Sequence, residues 1–160
     1  MKPTVIYDSV TGNTKLLAQE IETFIQEEKL EEKNLVFIGS WTDKGSPSTK
    51  IQEVLKTLKN KKIFYFGTCG FGGSEEYFKA LFERVKPYIH SSNTILGYFY
   101  CQGKMPPSIK ERYEKLKKEQ PEEKRWEMSL KNYETALEHP NQTDLSNLRK
   151  MLQKIFKSEK

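Results

Sequence analysis

Ser9, Thr11 and Thr14 place three hydroxyls around Gly12 in the segment Ser9-Val10-Thr11-Gly12-Asn13-Thr14, where an apolar run gives way to a helical period. Such a segment suits an oxygen-rich anion. The start of a helix presents backbone N–H groups with no intrahelical acceptor, together with the positive end of the dipole, and hydroxyls add donors. Gly12 lets the backbone approach a ligand closely. Ser, Thr and Asn also cap helices, but a cap needs one side chain and this segment supplies several. The chemistry read here is phosphate binding.

Two further segments follow apolar runs and would fall at the same end of an open α/β sheet, where such folds bind their ligands. In Gly39-Ser40-Trp41-Thr42-Asp43-Lys44-Gly45 the indole of Trp41 suits stacking on a flat ring. The alternative is a core or surface aromatic. In Gly67-Thr68-Cys69-Gly70-Phe71-Gly72-Gly73-Ser74 the glycines allow backbone groups to close around a ring edge, or they only turn the chain, and Ser74 fits a helix cap. Cys69 has no evident histidine partner, so it is not read as a nucleophile. No residue is assigned a catalytic or metal-binding role. His90 and His139 read as surface or packing residues, and Cys101-Gln102-Gly103-Lys104-Met105-Pro106 as a rim or partner contact.

Other phosphate motifs fail on spacing. The lysine and glycine of Gly39 to Gly45 are out of order for a P-loop, Gly70 to Glu75 lacks the third glycine of a dinucleotide fingerprint, and no arginine follows Cys69 at phosphatase spacing.

The elements that must position these segments show in the hydropathy. Thr4–Tyr7, Leu35–Ile38, Ile63–Phe66 and Thr94–Tyr100 are apolar, β-branched and aromatic, as expected of strands covered on both faces. Helical periods alternate with them: Leu17, Ile21, Phe24; Ile51, Val54, Leu55, Leu58; Tyr77, Phe78, Leu81, Phe82, Val85. That order calls for a parallel sheet with helices on both faces. After the last strand the periods of Ile109, Tyr113, Leu116, of Trp126, Leu130, Tyr133, Leu137 and of Leu145, Leu148, Leu152, Ile155 predict two or three helices, separated by Pro106-Pro107, Pro121 and Pro140. Lys157 to Lys160 read as a frayed end.

A chain of 160 residues with 36% apolar and 31% charged residues suits a single domain, 1–160. No apolar stretch approaches the roughly 20 residues of a membrane span, and the start lacks the pattern of a secretory signal. Two cysteines far apart suggest neither disulfides nor zinc, which fits a reducing cytoplasm. The formal charge of +5 is spread as lysines among glutamates, the pattern of solvated helix faces rather than of a nucleic-acid site. The excess of Lys and Arg from Lys104 to Lys118 could steer an acidic partner.

Ser9-x-Thr11-Gly12-x-Thr14 resembles the phosphate-binding loop of flavodoxins and is complete at its fixed positions. The resemblance implies bound flavin mononucleotide (FMN), a stacking aromatic at Trp41, a redox-responsive carbonyl near Gly45, and electron transfer between redox partner proteins, a reductase donor and an acceptor enzyme. The site it implies is Ser9, Val10, Thr11, Gly12, Asn13 and Thr14 for the phosphate, with Trp41, Thr42, Asp43, Lys44, Gly45, Thr68, Cys69, Gly70, Phe71 and Gly72 around the ring. Over nearly the whole chain, including Leu137-Glu138-His139-Pro140, the sequence is similar to a group of short bacterial flavodoxin-domain proteins, some of them associated with a bilirubin reductase. The alternatives are a flavin-dependent reductase or flavin subunit of a larger one, and a flavin-free interaction module.

The implied fold is a doubly wound α/β sheet in the order 2-1-3-4-5 with extra C-terminal helices. Only positions 15–34 separate the phosphate loop from Leu35. A helix of roughly twelve residues at 1.5 Å each leaves little beyond a turn, so the second strand is expected to be missing, or a stub near Phe24 to Gln26. Its loss would expose the edge of the first strand and invite pairing with another chain, giving a monomer or weak dimer. The positive charge, unlike that of commonly acidic flavodoxins, predicts a less negative potential for the reduced flavin.

Overall fold

Apolar residues on both faces of each strand force helices onto both faces of the sheet. The computed structural model describes residues 2–157. Strands β1 (Thr4–Asp8), β2 (Leu35–Asp43), β4 (Lys62–Cys69) and β5 (Thr94–Gln102) form a parallel sheet in the order β1-β2-β4-β5, and the short β3 (Ser46–Pro47) pairs antiparallel with β2. Helices α1 (Asn13–Glu27), α2 (Thr49–Thr57) and α3 (Glu75–Val85) connect the strands; α4 (Pro107–Glu119), α5 (Lys124–Ala136) and α6 (Gln142–Lys157) follow them.

Alternate strand residues feed two cores. Phe37, Phe64, Phe66 and Phe99 pack with Leu17, Ile21 and Phe24 of α1 and with Leu148 and Leu152 of α6. On the other face Ile38, Ile63, Tyr65 and Tyr100 meet Ile51 and Leu55 of α2 and Leu81, Phe82 and Val85 of α3. Gly39 is required by this packing: a Cβ there would lie 2.1 Å from the Phe66 ring.

Helix α1 runs through Glu27, and Leu30 N–H closes its end on the Ile25 carbonyl at 3.0 Å. Lys29 and Asn34, with φ of 48° and 68°, turn the chain into β2. Glu22 to Lys33 form no strand, and Phe24 to Gln26, the expected place of a stub, lie inside the helix. The register of the aromatic and aliphatic residues decides this: Phe24 and Ile25 complete the buried stripe begun by Leu17 and Ile21.

The strands extend beyond the apolar runs. Trp41, Thr42 and Asp43, expected in a loop, continue β2 and turn back through Lys44 and Gly45 into β3. Both turn residues have positive φ, 51° and 84°, the geometry of a tight hairpin whose twist matches its strands. Leu58 and Leu137 fall just past the ends of α2 and α5.

The tail forms three helices. Helix α6 is tied to α1 by Arg149, which donates to Glu20 at 2.8 Å and Glu27 at 2.7 Å. Asn141 and Asp144 cap its start reciprocally, at 3.0 and 2.9 Å. Lys157 is its last residue; the rest of the expected frayed end, 158–160, lies outside the described residues. Helices α4 and α5 make a hairpin that packs chiefly on itself, with Tyr113 and Trp126 stacked at 6.3 Å and no α4 side chain fully buried. Among the described residues no helix is long and apolar enough to cross a membrane.

Candidate functional site

Because β1, β2, β4 and β5 are parallel, their carboxyl ends gather the three singled-out segments at one edge. β1 ends at Asp8, and the chain crosses Ser9 to Gly12 before α1 begins. Gly12 sits at φ 89° with nothing within 4 Å of the place a Cβ would occupy. Ser9 Oγ accepts from the N–H of Gly12 at 3.1 Å and of Lys15 at 3.3 Å, so an oxygen already lies where these amides converge.

Asn13 joins this loop to the end of β5. Its Nδ2 donates to Thr11 Oγ1 and to the Lys104 carbonyl, both at 2.8 Å. Gly103 allows the approach, since a Cβ there would lie 2.4 Å from Asn13 Nδ2. Among the described residues Asn13 Oδ1 is buried with no partner, an acceptor that calls for an O–H or N–H donor. Thr14 behaves differently from an open phosphate ligand: its hydroxyl is fully buried and bonded to Thr68 Oγ1 at 2.9 Å.

At the end of β2, Trp41 is half-buried and its indole N–H donates to Asp8 Oδ2 at 3.0 Å. Thr42 Oγ1 donates to the Thr68 carbonyl at 2.7 Å. Asp43, Lys44 and Gly45 form the hairpin tip beyond it, with Gly45 under Arg84, whose Nη1 would meet a Cβ there at 2.1 Å. Thr68 and Cys69 end β4, and Gly70, Phe71 and Gly72 pass outward to Ser74, which caps α3 by accepting from the Tyr77 N–H at 3.1 Å. Val10 and Phe71, 66% and 43% exposed, leave apolar surface beside the site.

The electrostatics favour a binding role over acid–base or nucleophilic chemistry. Burial pushes the Cys69 thiol up to about 12, and burial, then the nearby Asp144 and Cys69, raises Cys101 as well. Both are free thiols held protonated near neutral pH. No group of three or more His, Cys, Asp or Glu suited to a metal occurs among the described residues. His139 bonds Asp144 at 2.7 Å beside the start of α6, and its backbone carbonyl accepts from the Lys104 N–H at 3.0 Å.

Amides converging on one oxygen, an orphaned acceptor beside them and an indole at the neighbouring strand end fit a phosphate joined to a hydroxylated chain and a flat ring, the parts of FMN. Three contributors have no local signal in the sequence. Asp8 reaches the site through Trp41, the Lys104 carbonyl through Asn13, and Asn132 from α5 through the Gly70 carbonyl at 2.7 Å. Only the third is remote from every motif. A groove of about 1140 Å³ lies elsewhere, along β5 between α3 and α6, and meets the singled-out segments at Gly73, Cys101 and Gln102.

The sequence matches the Flavodoxin domain family over residues 4–153. It is 35% identical to the flavodoxin-like domain-containing protein BilS of Clostridioides difficile (strain CD3), covering 91% of this chain and 90% of that protein. It is 28% identical to the BilS of Clostridium symbiosum (strain WAL-14163), covering 91% of each. The fold is similar to that of a flavodoxin from the domain Archaea, with a TM-score of 0.56 at 15% identity over 99% of this chain and 98% of the other.

Proposed function

The chain belongs to the flavodoxin family, and we propose that it binds FMN at the carboxyl edge of its sheet and carries electrons from a reductase to an acceptor enzyme. The observation that supports this best is the converged oxygen site at Ser9, flanked by the orphaned Asn13 Oδ1. Ser9, Val10, Thr11, Gly12 and Asn13 would hold the phosphate end, with Thr14 contributing its backbone N–H while its hydroxyl stays on Thr68. Trp41, with Thr42, Asp43, Lys44 and Gly45, would flank the ring, and Thr68, Cys69, Gly70, Phe71 and Gly72 its polar edge. When bound, the flavin supplies the one- and two-electron chemistry.

The chain's residues then bind, orient and tune. Trp41, held by Asp8, covers a ring face and excludes water. The loop amides supply fixed dipoles. The net charge of +5 favours the reduced, more negative ring, so the potential is proposed to be less negative than in acidic flavodoxins. Two buried free thiols suit a reducing cytoplasm, and the free outer edge of β1 suits a monomer or weak dimer.

A second reading is a flavin-dependent reductase acting on a small acceptor, or the flavin subunit of a larger reductase such as one acting on bilirubin; the α4–α5 hairpin favours it by standing beside the Gly-rich loop, with Tyr113 against Phe71 at 6.4 Å. Anaerobic reduction of the FMN-loaded chain separates the readings. Reduction through a separate reductase, followed by transfer to a protein acceptor, supports the carrier. Direct oxidation of NADPH with turnover of a small acceptor contradicts it.

A further inference from the structure

The Gly-rich loop is anchored from outside its own segment. Asn132 Nδ2 donates to the Gly70 carbonyl at 2.7 Å, and Gln102 Nε2 donates to Asn132 Oδ1 at 3.2 Å while standing 3.5 Å from the same carbonyl. One residue further, the Cys69 thiol donates to the Phe71 carbonyl at 3.1 Å. Burial keeps that thiol protonated, so it remains a donor near neutral pH.

A trans peptide is planar, with its N–H antiparallel to its C=O. With the Gly70 oxygen held against α5, the N–H of Phe71 points away from α5. With the Phe71 oxygen held against Cys69, the N–H of Gly72 points away from β4. Phe71 and Gly72 are both exposed, so these two N–H groups face the open side of the loop. Gly72 cannot be replaced cheaply in this arrangement: its φ is 79°, and a Cβ would lie 2.3 Å from the Tyr77 ring.

We propose that Asn132 is a positioning residue for the cofactor: by holding the Gly70 carbonyl toward α5, with Gln102 behind it, it aims the Phe71 and Gly72 amides at the polar edge of the bound ring. Donors fixed in advance gain most against the form that carries more negative charge, the reduced ring. The C-terminal hairpin thereby acts on the site through one side chain. This inference rests on the FMN reading above.

The test compares wild type with N132L and N132A, both neutral, so that no new charge acts on the ring. Asn132 is half-buried on a helix, and Ala is a strong helix former, so N132A secures a folded comparison. Measured are inorganic-phosphate binding, the dissociation constant for oxidised FMN, and the midpoint potential. The expected result is unchanged phosphate binding, a few-fold weaker oxidised complex, and a further loss of about tenfold for the reduced complex. That tenfold corresponds to a fall of about 59 mV if one electron is transferred and about 30 mV in the two-electron midpoint. Potentials equal to wild type, or parallel loss of phosphate and FMN binding, overturn the inference. Failure of wild type itself to bind FMN overturns the functional reading and is seen before any substitution is made.

Discussion

The hydroxyls of Thr14 and Thr68 meet at 2.9 Å where the two residues are 0% and 2% exposed, fastening the first turn of α1 to the end of β4. A buried hydroxyl stripped of its partner costs about 1–3 kcal/mol, whereas removing both partners together costs less. T14V and T68V should each destabilise the flavin-free chain by about that amount, and the double variant by less than the sum. Urea unfolding checks this; strictly additive losses would show that the bond contributes nothing.

Trp41 is held by Asp8 rather than left to swing. W41F keeps a flat ring but loses the bond, about 1 kcal/mol, and should weaken FMN binding roughly fivefold. W41A, which also removes the stacking surface, should weaken it tenfold or more. Quenching of flavin fluorescence on titration gives both constants, and wild-type affinity in W41A would remove Trp41 from the site.

Two glycines are required for different reasons, and alanine separates them. At Gly39 the obstacle is the Phe66 ring, 2.1 Å from an added Cβ, so G39A should cost about 1–3 kcal/mol through overpacking. At Gly12 space is open, but φ is 89°, and a side chain there should cost about 1–2 kcal/mol in backbone strain. Thermal unfolding of each flavin-free variant checks the pair; an unaltered midpoint in G39A would mean that the ring moves aside freely.

The loop from Ser9 to Thr14 was legible as a strand-to-helix turn and a candidate anion site because its signals are local: hydroxyls, a glycine and a helix start lie within six residues. The absence of a strand between α1 and β2 was legible as a shortage of chain. What local pattern could not show was where β2 stops. Trp41, Thr42 and Asp43 read as a loop because polar residues enter the run, yet pairing with β4 and β3 keeps them extended. Nor could it show Asn132, whose contact with Gly70 spans 62 positions and is made only when the tail helices fold back. Thr14 illustrates a third limit: residue type suggests a phosphate ligand, while burial against Thr68 gives its hydroxyl another partner.

Burial raises the Cys69 thiol from its ordinary 9.0 to about 12 and raises Cys101 in the same direction. Between these values the unfolded chain has released a proton that the folded chain keeps, so stability falls as pH rises. The contribution is fully present below about pH 9 and is lost progressively from there to about pH 12. Urea midpoints should therefore show no cysteine-linked change from pH 7 to 8.5 and decline above 9, and native thiols should resist alkylation at pH 8 until the chain is unfolded. Rapid labelling of the native protein at pH 8 would contradict the assignment.

The reading of Ser9 to Thr14 as a phosphate nest is tested most directly by calorimetric titration of the flavin-free chain with FMN and, separately, with riboflavin, which has the same ring and no phosphate. One FMN bound per chain, with riboflavin at least tenfold weaker, is the predicted result. Equal affinity for the two, or no heat with FMN, would contradict it.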